Sequence, residues 1–186
     1  MQPYYQQIPT TMCDFHDFYK RIAKELPDNC RIAEVGVADG YSALMLAYEL
    51  NLLGKKFEMK MIDSCDYGHW HQANEVMRNI IRSELGGSID FIQVGSLDAS
   101  CYFPDNYFHF VFIDASHKYE PTKADIRLWT RKVMDGHILA GHDYHHLEEV
   151  RNAVDEVVSP SILKVEKTTK DYGVWWFLKE HNTILK

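Results

Sequence analysis

Short apolar runs alternate with helix-compatible segments along nearly the whole chain, and the last two runs stand too close together for a helix between them. No other feature narrows the fold as far. Runs at 31–35, 57–62, 89–94, 109–113 and 137–140 read as strands. Segments at 14–26, 42–53, 74–85, 123–133 and 147–157 read as helices. In the first of these, Phe15, Phe18, Tyr19, Ile22 and Leu26 recur near a 3.6-residue period. Strands that are apolar along their whole length belong in a parallel sheet covered on both faces. The final runs, 162–165 and 174–178, are separated by about eight mostly polar residues, so the last strand enters antiparallel. The expectation is an α/β fold: one three-layer α/β/α sandwich on a mostly parallel, seven-stranded sheet with an antiparallel last strand. In such sheets ligands lie beyond the carboxyl ends of the strands, and the chemistry should gather there.

At 186 residues the chain reads as one domain over 13–186, preceded by a mobile N-terminal arm over 1–12 that carries Tyr4 and Tyr5. Twenty basic against 27 acidic residues leave a net charge of −7, with no Lys/Arg cluster longer than Lys55-Lys56. That balance argues against a surface that tracks nucleic-acid phosphates. The first residues lack the positive start and apolar core of a signal peptide, and no apolar run nears the ~18–20 residues that span a membrane. Cys13, Cys30, Cys65 and Cys101 are scattered without a C-x-x-C pair and read as reduced thiols, which points to a cytoplasmic protein.

The residues able to do chemistry fall just after the strands. The first strand runs into Glu34, and Gly36 and Gly40 bracket a turn before a helix begins near Ser42. A glycine turn lets backbone approach a ligand, and the helix start behind it offers free N–H groups. Ala38 stands where the dinucleotide pattern G-x-G-x-x-G needs glycine, and Glu34 would repel a pyrophosphate. A nucleoside without phosphates fits better. The second strand ends at Asp63, placed to accept hydrogen bonds from both ribose hydroxyls. After the third, Gly95-Ser96-Leu97-Asp98 reads as a turn and helix cap, with Ser96 a candidate adenine contact.

The fourth strand delivers Asp114, costly to bury unpaired after Val111-Phe112-Ile113. His117 follows three residues on and suits a general base, because it titrates near neutrality. The fifth strand ends in Gly141-His142-Asp143-Tyr144-His145-His146. Asp114 and Asp143 could reach one divalent ion; carboxylates favour Mg²⁺ or Mn²⁺, whereas imidazoles favour a transition metal. His145 and His146 read as solvated loop residues, and Trp175-Trp176 as sheet packing. His69-Trp70-His71 reads as a loop that covers the ligand or packs on the core.

These motifs carry a resemblance. The turn Glu34-Val35-Gly36-Val37-Ala38-Asp39-Gly40-Tyr41-Ser42-Ala43 is similar to that of catechol-type O-methyltransferases, where Glu-x-Gly-x-x-x-Gly-Tyr-Ser recurs. The stretches 112–120 and 140–144 resemble a bacterial and phage methyltransferase-domain branch related to macrolide-sugar O-methyltransferases and cephalosporin-hydroxylase-like proteins. From about residue 13 to its end the chain resembles a class I S-adenosylmethionine-dependent methyltransferase, a Rossmann-like fold. The resemblance implies S-adenosyl-L-methionine as cofactor, with Glu34, Gly36, Gly40, Tyr41, Ser42, Asp63, Ser96 and Asp114 around it. Gly36 and Gly40 would shape the methionine pocket, Glu34 would lie beside the amino-acid end, Asp63 would hold the ribose and Ser96 would sit near adenine.

In the catechol-type enzymes the carboxylate after the fourth strand binds Mg²⁺, a Lys three positions on removes the hydroxyl proton, and the fifth strand ends in the metal ligands Asp-Asn. Asp114 matches the first, His117 stands at the second, and His142-Asp143 follow the fifth strand here. The expected catalytic pair is thus His117 and Asp114, and the expected metal set Asp114, Asp143 and His142 for Mg²⁺ or another divalent ion. The expected reaction is O-methylation of a small molecule or sugar, because the segments around the site are short. Exposed Tyr and Trp could support a homodimer. Two other classes stay in view: an NAD-dependent oxidoreductase, which Ala38 and Glu34 disfavour, and a metal-dependent hydrolase or hydroxylase without the sulfonium cofactor.

Overall fold

Seven strands form one sheet: β1 (Cys30–Val35), β2 (Phe57–Asp63), β3 (Ile89–Gln93), β4 (Phe108–Ile113), β5 (Val133–Gly141), β6 (Lys164–Glu166) and β7 (Val174–Lys179). The computed structural model describes residues 3–9, 13–66, 73–181, 183, 185 and 186; His69-Trp70-His71 and residues 1, 2 and 10–12 of the expected arm lie outside them. The strand order is β3-β2-β1-β4-β5-β7-β6, with β1 to β5 parallel and β7 antiparallel to both neighbours. The chain therefore starts mid-sheet, winds outward to β3, and returns to lay β4 on the other side of β1. The strand order reverses between β1 and β4, which opens a crevice at their carboxyl ends.

Helices α1 (His16–Glu25), α2 (Tyr41–Leu52), α3 (Ala73–Arg82), α4 (Ser96–Ser100), α5 (Tyr119–Lys132) and α6 (Glu148–Val157) connect and flank the strands. Two apolar cores result, one on each face. Ile32, Met59, Met61, Phe110 and Phe112 pack with α1, α2 and α3, while Ala33, Val35, Val111 and Ile113 pack with α5 and α6. Side chains alternate between faces along a strand, so Glu34 shares a face with Ile32 and points into the α1–α2 layer.

Several boundaries differ from the sequence expectation, each for a local reason. Helix α5 begins at Tyr119, because Pro121 falls within the first turn, where its missing N–H is not needed. Strand β5 begins at Val133, directly after α5 and ahead of the expected 137; Val133 pairs with Phe108 and Ile138 with Phe110, so Asp135-Gly136 form an irregularity inside the strand. The turn and helix cap expected at 95–98 open a short helix, Ser96–Ser100, with Gly95 as its N-cap. Residues 3–9 pack on α2 rather than standing off: Tyr5 is buried against the Tyr41 and Tyr48 rings, at 5.4 and 5.6 Å, and the Tyr4 hydroxyl donates to Asn79 at 2.8 Å. Trp175 is buried and Trp176 half-buried, in keeping with sheet packing. Among the described residues no helix is long and apolar enough to cross a membrane.

Candidate active site

The carboxyl ends of β3, β2, β1, β4 and β5 wall one cleft of ≈ 830 Å³. Val94, Ser96 and Leu97 line it after β3, Asp63 and Ser64 after β2, and residues 36–39 after β1. Asp114 to His117 follow β4, and His142 with Asp143 follow β5. Cys13, Phe15, Tyr41, Ser42, Pro121 and Asp125 complete the wall. The size lies within the ~300–1,000 Å³ usual for a small-molecule site.

The two glycines of the turn differ in their surroundings. At Gly36, with φ of 85°, a Cβ would fall 2.1 Å from the Asp114 carbonyl oxygen. Its missing side chain lets its backbone lie against that of Asp114 and Ala115, and Gly36 itself lines the cleft. Gly40, in the left-handed conformation, caps the start of α2 and does not line the cleft. Glu34 does not line it either. Its buried carboxylate accepts hydrogen bonds from the Tyr19 hydroxyl at 2.7 Å and from Ser42, and burial pushes it up to about 8. It braces the turn from behind.

Asp63 does line the cleft, and three backbone N–H groups converge on it. Val37 and Ala38 donate to Oδ2 at 2.9 and 3.0 Å, and Cys65 donates to Oδ1 at 2.8 Å. A carboxylate has about four acceptor sites, so roughly one remains for a ribose hydroxyl. Ser96 is similarly engaged. Its hydroxyl donates to Asp125 at 2.5 Å and accepts from the Trp129 indole at 2.8 Å. Asp125 escaped the sequence reading; burial pushes it up to about 6, and it lines the cleft beside Ser96. Its signal was a carboxylate within the buried stripe Thr122, Asp125, Ile126 and Trp129 of α5.

At the β4–β5 end the predicted residues converge. His117 Nε2 lies 3.6 Å from Asp114 Oδ1 and 3.2 Å from Asp143 Oδ2. His142 Nδ1 lies 3.7 Å from Asp114 Oδ2 and 3.4 Å from Asp143 Oδ1. The two imidazoles differ in setting: the His117 side chain is 40% exposed and that of His142 only 3%. Asp143 has a left-handed φ of 64°, a conformation that Asp tolerates better than most residues. Burial and the neighbouring Asp114 carboxylate raise its pKa, and the Asp114 carboxylate also raises that of His117. Ligand atoms of Asp114, His117 and Asp143 all lie within 4.8 Å of one another. His117 Nε2 and Asp143 Oδ1 are buried atoms without a hydrogen-bond partner among the described residues. Such a donor set could hold a cation. His145 and His146 are exposed, and His146 stacks on Tyr172 at 4.3 Å.

The cleft lies where the strand order of a parallel sheet reverses, the place where open α/β folds bind their ligands. Residues 33–144, more than half of the chain, match the family described as a methyltransferase domain, and the chain belongs to that family. No curated protein matches. Among solved structures, cofactor-bound Rv0187 from MTB is similar at 17% identity and a TM-score of 0.72, covering 96% of this chain and 87% of its own. An O-methyltransferase from Bacillus cereus in complex with SAH is similar at 17% identity and 0.67, covering 94% and 86%. An rRNA methylase from Streptococcus thermophilus reaches 14% and 0.63, covering 93% and 100%. At these identities the likeness is one of fold, and it agrees with the Rossmann-like sandwich expected.

Proposed function

We propose that the protein is an S-adenosylmethionine-dependent O-methyltransferase that acts on a hydroxyl of a small molecule or terminal sugar, assisted by a divalent ion. One observation carries the reading: Asp63 and the group Asp114, His117 and Asp143 stand at different points of a single cleft. The first offers an acceptor to a ribose; the second attracts a cation and can take a proton. The donor set fits both groups, since Asp63 keeps acceptor capacity and two buried polar atoms of the cluster lack partners.

S-adenosylmethionine supplies a methyl already activated on sulfur, and a divalent ion held by Asp114 and Asp143 would lower the pKa of an acceptor hydroxyl. The chain's own task is alignment and proton removal. Phe15 and Cys13 give the cleft an apolar side; burial pushes the Cys13 thiol up to about 12, so it stays neutral. The Asp114 carboxylate holds the His117 pKa up and a cation beside it would bring it down, which leaves Nε2 to take the acceptor proton. The net charge of −7 favours a small acceptor over the nucleic acid that an rRNA methylase uses.

The test is methyl transfer from labelled S-adenosylmethionine to a panel of phenolic, sugar and nucleic-acid acceptors, with and without a chelator. The expected product is an O-methyl ether of a small acceptor, with activity lost on chelation. His117→Ala should lower kcat by about 10²–10⁴-fold while S-adenosylhomocysteine affinity holds. Methylation of nucleic acid alone, or full activity in His117→Ala, would contradict the proposal.

A further inference from the structure

Asp14, in the segment before α1, and His142, after β5, are 128 residues apart in sequence and meet at 2.8 Å inside the protein. Their side chains are 0% and 3% exposed. An ionised carboxylate can only accept a hydrogen bond, so the ring nitrogen that faces it, Nε2, carries the hydrogen. Nδ1 is then left with a lone pair, and it faces Asp143 Oδ1 at 3.4 Å and Asp114 Oδ2 at 3.7 Å. A lone pair set against two carboxylates is repelled unless a proton or a metal cation stands among them. The nearer oxygen, Asp143 Oδ1, is also one of the two buried atoms of the cluster without a hydrogen-bond partner among the described residues.

We propose that His142 Nδ1 is a metal ligand, that Asp14 sets it in that role, and that the site takes an imidazole-binding transition ion such as Co²⁺ or Zn²⁺ in preference to Mg²⁺. The proposal rests on the reading of Asp114 and Asp143 as the carboxylates of a cation site. Asp14 is held firmly enough to act as an anchor. Besides His142, it accepts hydrogen bonds from the Thr168 hydroxyl and from the backbone N–H groups of Lys170 and Tyr172, at 3.1 and 3.3 Å. The loop between β6 and β7 thus fixes Asp14, Asp14 fixes the tautomer and angle of His142, and His142 presents Nδ1 to the carboxylates. A carboxylate behind a ligating histidine commonly accounts for a ~10–100-fold change in metal affinity.

Asp14→Asn separates this role from packing. The side chain keeps its shape and one acceptor oxygen for the loop, but its amide would donate to Nε2. The ring hydrogen would then sit on Nδ1 and block ligation, as the wrong tautomer does in other histidine–carboxylate pairs. The experiment titrates metal-free protein with Co²⁺, read by visible absorption, and with Mg²⁺, read by calorimetry, using wild type, Asp14→Asn and Thr168→Val. Binding of S-adenosylhomocysteine is measured in parallel. Wild type should bind Co²⁺ at least about tenfold more tightly than Mg²⁺, and Asp14→Asn should weaken Co²⁺ roughly 10–100-fold while Mg²⁺ barely changes. Thr168→Val removes one support of Asp14 but keeps the tautomer, so it should weaken Co²⁺ by only about two- to fivefold, less than Asp14→Asn does. Unchanged Co²⁺ affinity in Asp14→Asn, an equal loss in Thr168→Val, or a preference for Mg²⁺ would overturn the inference alone. If wild type binds no divalent ion while S-adenosylhomocysteine still binds, the metal half of the functional reading falls with it and the cofactor half stands.

Discussion

Glu34 sits on β1 with its carboxylate in the α1–α2 layer, where burial raises it from an ordinary 4.5 to about 8. Between those values the folded state holds a proton that the unfolded chain has released. The stabilising contribution is therefore fully present below about 4.5 and is lost as pH rises through about 8. Glu34→Gln keeps partners for Tyr19 and Ser42 but cannot ionise. Denaturant titrations should show it gaining on wild type between pH 5 and pH 9, by up to a few kcal/mol at ~1.4 kcal/mol per pKa unit. An identical pH dependence in the two proteins would contradict this. The site residues after strands were legible in sequence because strand ends mark where a parallel sheet binds ligands. Their orientation was not. Glu34 and Asp63 both look like ligand contacts, yet alternation turns Glu34 into a core layer while Asp63 faces the cleft. Asp125 was hidden because its neighbours read as an ordinary buried helix stripe.

At the scale of elements, the close approach of β1 to β4 depends on Gly36. Gly36→Ala would need both a left-handed Ala and displacement of the Asp114 backbone, and should cost at least ~2 kcal/mol. Gly54→Ala, where a Cβ meets open space, carries only the backbone part of that cost, about 1–2 kcal/mol. Thermal unfolding of the pair checks the contrast, and equal losses would argue against the β1–β4 contact. Lys55 closes the end of α1 by donating to the carbonyls of Ala23 and Lys24, at 2.7 and 2.8 Å, and of Leu26. Lys55→Met should destabilise by about 1–2 kcal/mol in the same assay, and no change would show that those carbonyls are served by water. The strands were legible as apolar runs and the long helices as 3.6-residue stripes. Strand β5 was legible only in its second half, because α5 passes into it without turn residues and the glycine that signals a turn, Gly136, lies inside the strand. Helix α4, five residues long, is too short to show a period.

For the whole molecule, two apolar cores clamp a sheet whose carboxyl edge is left open, and the cleft lies over that edge at the ends of β1 to β5. The alternation of strands and helices gave access to this architecture before any side chain was placed, because few topologies satisfy five parallel strands and a terminal antiparallel pair. The central claim is that the cleft binds S-adenosylmethionine with Asp63 at the ribose. Calorimetric titration with S-adenosylhomocysteine tests it most directly, with NAD as the competing ligand. Binding is expected at one site per chain, with no heat from NAD and a loss of roughly 5–150-fold in Asp63→Ala, equivalent to ~1–3 kcal/mol for a charge-assisted hydrogen bond. Binding of NAD in place of S-adenosylhomocysteine, or S-adenosylhomocysteine affinity unchanged in Asp63→Ala, would contradict it.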